Sequence, residues 1–375
     1  MAPLSPAQLA DFDSNGFLLC HDVLPPEVLH PLIAEFTMAT DRKVDELQAE
    51  GRLGPDAGFG GAPFDRRLGL ICEAAPETAT IQELWTVGEG KHMKTAGLFG
   101  ILTHPPLLDI VESVVGAEVL AHPQFNSRAK LPGSVLARVA AAAAAGAGTG
   151  RFEKTQGDRG SAFLGTSPID GVKYHQDSSL LDREVDLNVM ANFWVPLVEA
   201  PIETGPLRVI PVWRDHTHCS VVSCRSFSLM DSDCCAQGSH KWGLLLPSYP
   251  SRERIDEAAS AHPHSGALPS GAVLSDEGGR DWTAVDCPVR LGSALLIHER
   301  LMHCSTPNTS ESTRWSLDLR FCSALAPTGR AGTPGFIARS AADPGQVARS
   351  HHDWLALFDE DQQEQERRQR AEPRL

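Results

Sequence analysis

"YHQDSSL", from Tyr174 to Leu180, sets a histidine and an aspartate two positions apart with only Gln176 between them. Side chains alternate along an extended segment, so His175 and Asp177 share one side if Gln176 faces outward. The bland reading is a surface strand with two polar residues in water. The chemical reading is a metal site: two histidines and one carboxylate on a single face form the triad of mononuclear iron(II) oxygenases, which leaves positions open for other ligands. The second histidine is then expected from a late strand that closes across the barrel. "LLIHERLMHCSTPNTSESTRWSLDLRF" offers His298 and His303. His303 is the better placed, because it is followed by Ser305 and then by Arg314 at the start of the next strand. His298 sits in the preceding apolar strand, reads as structural, and stays as the alternative. Asp182 and Glu184 are nearby acids, but neither has the alternate-residue relation to His175. Arg314 and Ser316 point to one face, and a guanidinium fork beside a hydroxyl suits the far end of a dicarboxylate.

The elements that must position these residues are legible in outline. Ser5 caps a helix that begins with Pro6 and ends at Gly16, "GFLLCHDVL" is a short apolar strand, and "PPEVLHPLIAEFTMATDRKVDELQAEG" is a long amphipathic helix ending near Gly51. "HPPLLDIVESVVG" repeats the pattern, so the part from 1 to 116 is expected to be mainly helical. From 117 to about 325 the texture changes to β-branched and apolar runs: "NVMANFWVPLV", "GPLRVIPV", "GSALLIHERLMH" and "RWSLDLRF" read as strands of a sandwich or barrel. The last alternates cleanly, with Trp315, Leu317, Leu319 and Phe321 on one face and Arg314, Ser316, Asp318 and Arg320 on the other. Such a polar face meets either solvent or a polar pocket inside a barrel. Two stretches read as flexible insertions: an Ala/Gly-rich one at 139–162, as a mobile loop or frayed helix, and a polar one at 248–281, as a lid or disorder. The charged end, 351–375, reads as a solvated helix or disorder.

Composition narrows the function classes. A net charge of −15, from 48 acidic and 33 basic residues, argues against nucleic acid or an anionic membrane as partner. No apolar run is long enough to span a bilayer. No signal peptide or peroxisomal address is visible, so a cytoplasmic protein acting on a small molecule is expected. Nine cysteines are scattered along the chain and are expected to be reduced. A zinc site from Cys219, Cys224, Cys234 and Cys235 with His216 or His218 is disfavoured by irregular spacing, since two adjacent cysteines do not readily ligate one tetrahedral ion.

Taken together, "GLFGILTHPPLLDIVESVVG", "NSRAKLPGS", "YHQDSS", "NFWVPLVEAPIETGPLRVIPV" and "GSALLIHERLMHCSTPNTSESTRWSLDLRF" resemble, in order and spacing, the phytanoyl-CoA dioxygenase family of iron(II)- and 2-oxoglutarate-dependent oxygenases. The resemblance runs from "DFDSNGFLLCHDVL" to "FIARS". It implies a mainly β fold with flanking helices, a double-stranded β-helix (a cupin-like jelly roll) backed by N-terminal helices, in one domain over 1–350. It implies Fe(II) held by His175, Asp177 and His303, with 2-oxoglutarate and O2 as cosubstrates. It further implies Arg314 on the distal carboxylate of 2-oxoglutarate, with Ser316 or Ser305 helping, Lys130 as the lysine that precedes Pro-Gly, and Trp194 as the pocket tryptophan. For Lys130 the other reading is a solvated loop residue, and for Trp194 simple core packing.

The chain departs from the family where Val212, Trp213 and Arg214 intervene before His216, and in the length of the Ala/Gly insertion. Both departures leave the substrate of the family's namesake without support here. The expected activity is oxidation of a substrate C–H bond with release of succinate and CO2. Two other readings compete with it. A metal-dependent cupin lyase or isomerase without 2-oxoglutarate does not need the Arg314/Ser316 pair, and a catalytically silent binding barrel has no need to keep three ligands.

Overall fold

The computed structural model describes residues 3–54, 59–76, 93–145, 175–177, 189–213, 273–275, 281–330 and 333–358. Ser5 caps α1 (Pro6–Asn15) by accepting from Gln8 N–H, and Gln8 accepts in return from the Ser5 backbone. Gly16 ends the helix at φ 77°, a left-handed turn that glycine takes without Cβ strain. That turn feeds β1 (Phe17–Cys20) straight into a sheet edge. Next come α2 (Pro26–Ala49), α3 (Phe64–Ala74), α4 (Ala96–Leu102) and α5 (Pro105–Val115). The buried residues of α2 include Leu29, Leu32, Phe36, Val44 and Leu47, at the i, i+3, i+4 spacing of one apolar stripe. Among the described residues no single helix is long and apolar enough to cross a membrane.

Eleven described strands form two antiparallel sheets. In the larger, β1, β8 (Ala294–His298), β4 (Met190–Pro196), β10 (Arg314–Ser323), β2 (Glu118–Ala121) and β11 (Phe336–Ser340) lie in that order. β3 (Asn126–Lys130) also pairs with β10, along its first half. The smaller sheet runs β6 (Val273–Ser275), β7 (Asp281–Cys287), β5 (Leu207–Trp213) and β9 (His303–Ser305). This is the cupin-like jelly roll with flanking helices that the sequence implies.

The two faces of the larger sheet have different partners. Trp315, Leu317, Leu319 and Phe321 face the helices, where Trp315 lies 5.8 Å from Phe36 and stacks on Phe64 at 4.8 Å. On the other face Trp194, Leu295 and Ile297 meet Leu207, Val209 and Leu301 of the smaller-sheet side, so apolar contact closes part of the barrel interior.

Three stretches read as insertions or tail are ordered into elements where they are described. The alanine run expected as part of an insertion at 139–162 is helical as far as it is described: α6 spans Gly133–Ala144 and buries Val135 and Val139 against the core. Alanine has the highest helix propensity, and two valines on one side supply the packing face. The stretch read as a lid, 248–281, contributes β6, and β7 begins at its end. The expected tail at 351–375 begins with a helix, α7 over 351–358, that buries Trp354 between Phe125 and Phe336, with ring centroids at 5.5 and 5.2 Å. The rest of all three stretches lies outside the described residues, as do Asp182, Glu184 and the cysteines from Cys219 to Cys235. Cys20, Cys72, Cys287, Cys304 and Cys322 are buried and stand outside any disulfide.

Trp354→Ala should destabilise the protein by about 3–5 kcal/mol, the usual range for deleting a large buried aromatic. Urea unfolding followed by circular dichroism checks this, and a change below about 1 kcal/mol would return the segment to the solvated tail.

Candidate functional site

His175 and His303 meet because they are cross-strand neighbours. The His175 N–H donates to the His303 carbonyl at 2.9 Å, and the His303 N–H donates back at 3.0 Å. Directly opposed residues of antiparallel segments hold their Cβ atoms roughly 5 Å apart on one face, and the two imidazole centroids lie 4.3 Å from each other. This corrects the expectation that the second histidine reaches in across the barrel. It sits beside the first in the same small sheet. Gln176 does point away from the pair, but not into water: it is buried and donates to the Arg300 carbonyl at 2.6 Å.

The chain turns at Asp177, whose carboxylate meets the larger sheet. Arg320 Nη2 donates to Oδ1 at 2.8 Å, and Asn192 Nδ2 donates to Oδ2 at 3.1 Å. Burial alone would raise the Asp177 pKa. The Arg320 charge, followed by His303 and His175, outweighs it and holds the carboxyl well below the usual carboxylate range. His303 Nδ1 lies 2.9 Å from the Leu301 carbonyl. A carbonyl only accepts, so Nδ1 carries the proton and Nε2 keeps a free lone pair. The ligand atoms of His175, Asp177 and His303 all lie within 4.8 Å of one another, and all three residues are buried. Two imidazoles and an ionised carboxylate at that separation suit one divalent ion of the first transition row.

His298 stands outside this group. It ends β8, its Nδ1 accepts from Arg300 N–H at 3.1 Å, and its ring is 6.2 Å from that of Phe12.

Arg314 opens β10 at a cavity that His175, Asp177 and His303 also line, together with Trp194, Leu207, Ile297 and Ser305. Its Nη1 donates to the Gly205 carbonyl at 2.5 Å, its guanidinium lies 5.1 Å from the Trp194 ring centre, and its Nε has no partner among the described residues. Burial pulls its pKa down to about 10; Asp318 offsets this only in part, and Arg128 adds to the lowering. Lys130 is the cross-strand partner of Arg314, and it is buried, not solvated. Its ammonium donates to the Ser305 hydroxyl at 3.1 Å and to the Thr306 carbonyl. Ser316 is fully buried, does not line the cavity, and its hydroxyl has no partner among the described residues.

Four polar lining residues escaped the sequence reading as site residues: Arg128, Asn192, Asp318 and Arg320. The signal for them was alternation. Arg128 is two before Lys130, Asn192 two before Trp194, and Asp318 and Arg320 follow Arg314 on its own face.

A family model described as Phytanoyl-CoA dioxygenase (PhyH) matches residues 12–217 and 234–316. No match is found among curated proteins. Of the solved structures, the chain is similar to a non-heme monooxygenase, ThoJ in its apo form, at 16% identity over 93% of this chain and 91% of that one, with a TM-score of 0.42. It is also similar to the epimerase SnoN in complex with Fe3+, alpha ketoglutarate and nogalamycin RO, at 14% identity over 92% and 91%, TM-score 0.41. A third is EctD from S. alaskensis, at 14% identity over 93% and 85%, TM-score 0.42.

Removing one member of a buried ion pair strands the other. Arg320→Met should therefore cost the metal-free protein about 3–5 kcal/mol, and adding Asp177→Asn should restore part of it. Urea denaturation of the two variants checks both signs, and a double variant less stable than Arg320→Met would refute the pairing.

Proposed function

Since the chain belongs to the phytanoyl-CoA dioxygenase (PhyH) family, we propose that it oxidises an unactivated C–H bond of a small molecule, by hydroxylation, at a site built around His175, Asp177 and His303. At the coarser level it is an enzyme of the iron(II)- and 2-oxoglutarate-dependent oxygenase superfamily, with O2 as the second cosubstrate. The observation that carries the finer reading is the juxtaposition of that buried three-ligand group with a buried arginine that has no carboxylate in ion-pair contact among the described residues.

Each residue has a task that follows from its contacts. His303, its Nδ1 proton fixed on the Leu301 carbonyl, presents Nε2 to the metal. Asp177 is kept ionised and oriented by Arg320 and Asn192, so it offers charge without needing to lose a proton first. Arg314 is costly to bury alone, and the distal carboxylate of 2-oxoglutarate would balance it with two parallel hydrogen bonds. Trp194 backs the guanidinium, and Lys130 holds the Ser305 hydroxyl at the same wall. Bound here, iron(II) and 2-oxoglutarate supply O2 activation, decarboxylation to succinate and the oxidising power for the substrate. With a carboxylate from Asp177 as the third protein ligand, an iron(II) held here would have no place left by a missing ligand for chloride, so the products expected are hydroxylated or desaturated, with no chlorine.

The decisive experiment is 2-oxoglutarate turnover against a metabolite library, with succinate release and product mass as readouts. A product heavier by one oxygen supports hydroxylation, and succinate formation with an isomerised or cyclised product would replace it. Substrate-independent tests address the site. Iron(II) and 2-oxoglutarate added without oxygen should give a weak visible absorption band, lost in His303→Ala and kept in His298→Ala; the reverse pattern would exchange the two histidines. Arg314→Lys keeps the charge but loses the fork, so 2-oxoglutarate titrated against that band should bind more than tenfold weaker, about 1.4 kcal/mol. Unchanged binding would move the dicarboxylate to another cation.

A further inference from the structure

Assigning His175, Asp177 and His303 to metal, Arg314 and Ser305 to cosubstrate, and Arg320 to Asp177 leaves three polar groups on the cavity wall: Arg128, Asp318 and the carbonyl half of Asn192. The orientation of the Asn192 amide is fixed by its neighbour. An ionised carboxylate can only accept, so the Asn192 atom 3.1 Å from Asp177 Oδ2 is Nδ2. Oδ1 is then turned away from Asp177, and it has no partner among the described residues although Asn192 is only 3% exposed. Native interiors rarely leave a buried acceptor without a donor, so a group absent from the protein itself is called for.

Arg128 is half-buried on the same sheet face, the cross-strand partner of Ser316. Its Nε is tied to Asp318 Oδ2, which fixes the plane of the fork, and its remaining nitrogens have no partner among the described residues. Asn192 and Arg128 both line the cavity that His175, Asp177 and His303 also line.

Resting on the oxygenase reading above, we propose that Asn192 is a specificity residue whose Oδ1 accepts a hydrogen bond from an O–H or N–H of the substrate. The substrate class that fits is a small hydroxy- or amino-bearing molecule with an acceptor for the Arg128 nitrogens that Asp318 leaves, and not a bare hydrocarbon chain. A site with a buried acceptor discriminates strongly against an analogue lacking the donor, because binding then strands the acceptor.

The test uses the full chain loaded with zinc(II) and 2-oxoglutarate, so that binding is read without turnover. The probes are small hydroxy- and amino-carboxylates, each beside the O-methyl or N-trimethyl counterpart of the same skeleton, with binding measured by ligand-observed NMR. In the unaltered protein the donor-bearing member should bind at least tenfold tighter than its methylated partner. In Asn192→Leu that gap should close to within about twofold, whatever the variant does to zinc affinity; Asn192→Ala serves if the leucine variant does not fold. A residue that only supports Asp177 would weaken both members of a pair equally and leave the gap, which overturns the inference. Equal binding of the pair in the unaltered protein also overturns it, since a water on Oδ1 would then suffice. So does the absence of any bound probe while 2-oxoglutarate still binds. Failure of 2-oxoglutarate to bind sinks the oxygenase reading instead.

Discussion

Strand β10 has to bury charge on one face and hydrocarbon on the other, and the surrounding architecture follows from that requirement. An isolated charge taken from water into a protein interior loses several kcal/mol of solvation, so each one needs a partner at hydrogen-bond distance. Asp318 is matched by Arg128 from β3, and Arg320 by Asp177 from the loop before β4. These partners lie on different strands, so the pairs also set register: Asp318 faces Asn126 on one side and Trp194 on the other, and a one-residue slip would turn the charges into the helix-facing core. Arg314 differs from its neighbours. It donates to a backbone carbonyl, that of Gly205, which orients the guanidinium without cancelling its charge. Arg314 thus has no carboxylate in ion-pair contact among the described residues, whereas Asp318 and Arg320 each have a charged partner.

The apolar face makes that arrangement rigid. Trp315 alternates with Arg314 and Ser316, and its ring is gripped by Phe36 of α2 and Phe64 at the start of α3. A strand clamped in this way cannot rotate its polar residues toward solvent, so the polar side chains hold their aim without a bound ligand. This is the preorganisation that catalysis through positioning requires.

Much of this was legible because strands alternate. His175, Asp177, His303, Arg314 and Ser305 all come to one cavity wall as their spacing and the family resemblance imply, and the two-faced character of β10 is plain in "RWSLDLRF". The failures have physical causes. Polar residues alternating with apolar ones on a strand usually face water, and only the second sheet, folded over them, makes Arg128, Asn192 and Arg320 interior. A three-residue strand such as β6 is too short to show a pattern of its own and exists through its ladder to β7. Trp354, in a charged stretch, is held by aromatic partners more than 200 positions earlier and on β11, contacts that no local window contains.

The two halves of the cavity also share their supports. Gly205, at φ 77°, packs so closely on the Thr306–Pro307 backbone that a Cβ there would stand 2.8 Å from the Pro307 carbonyl carbon and oxygen. Its own carbonyl holds Arg314, and the Thr306 carbonyl receives Lys130. Thr306 follows β9, and β9 begins with His303, whose backbone is locked to His175. A displacement of the Gly205 turn is therefore transmitted along three residues of β9 to the histidine pair. His303 and Ser305 are the two ends of one short strand, so the spacing of their backbones is set by strand geometry, with about 3.3 Å of rise per residue, and not by the reach of flexible side chains.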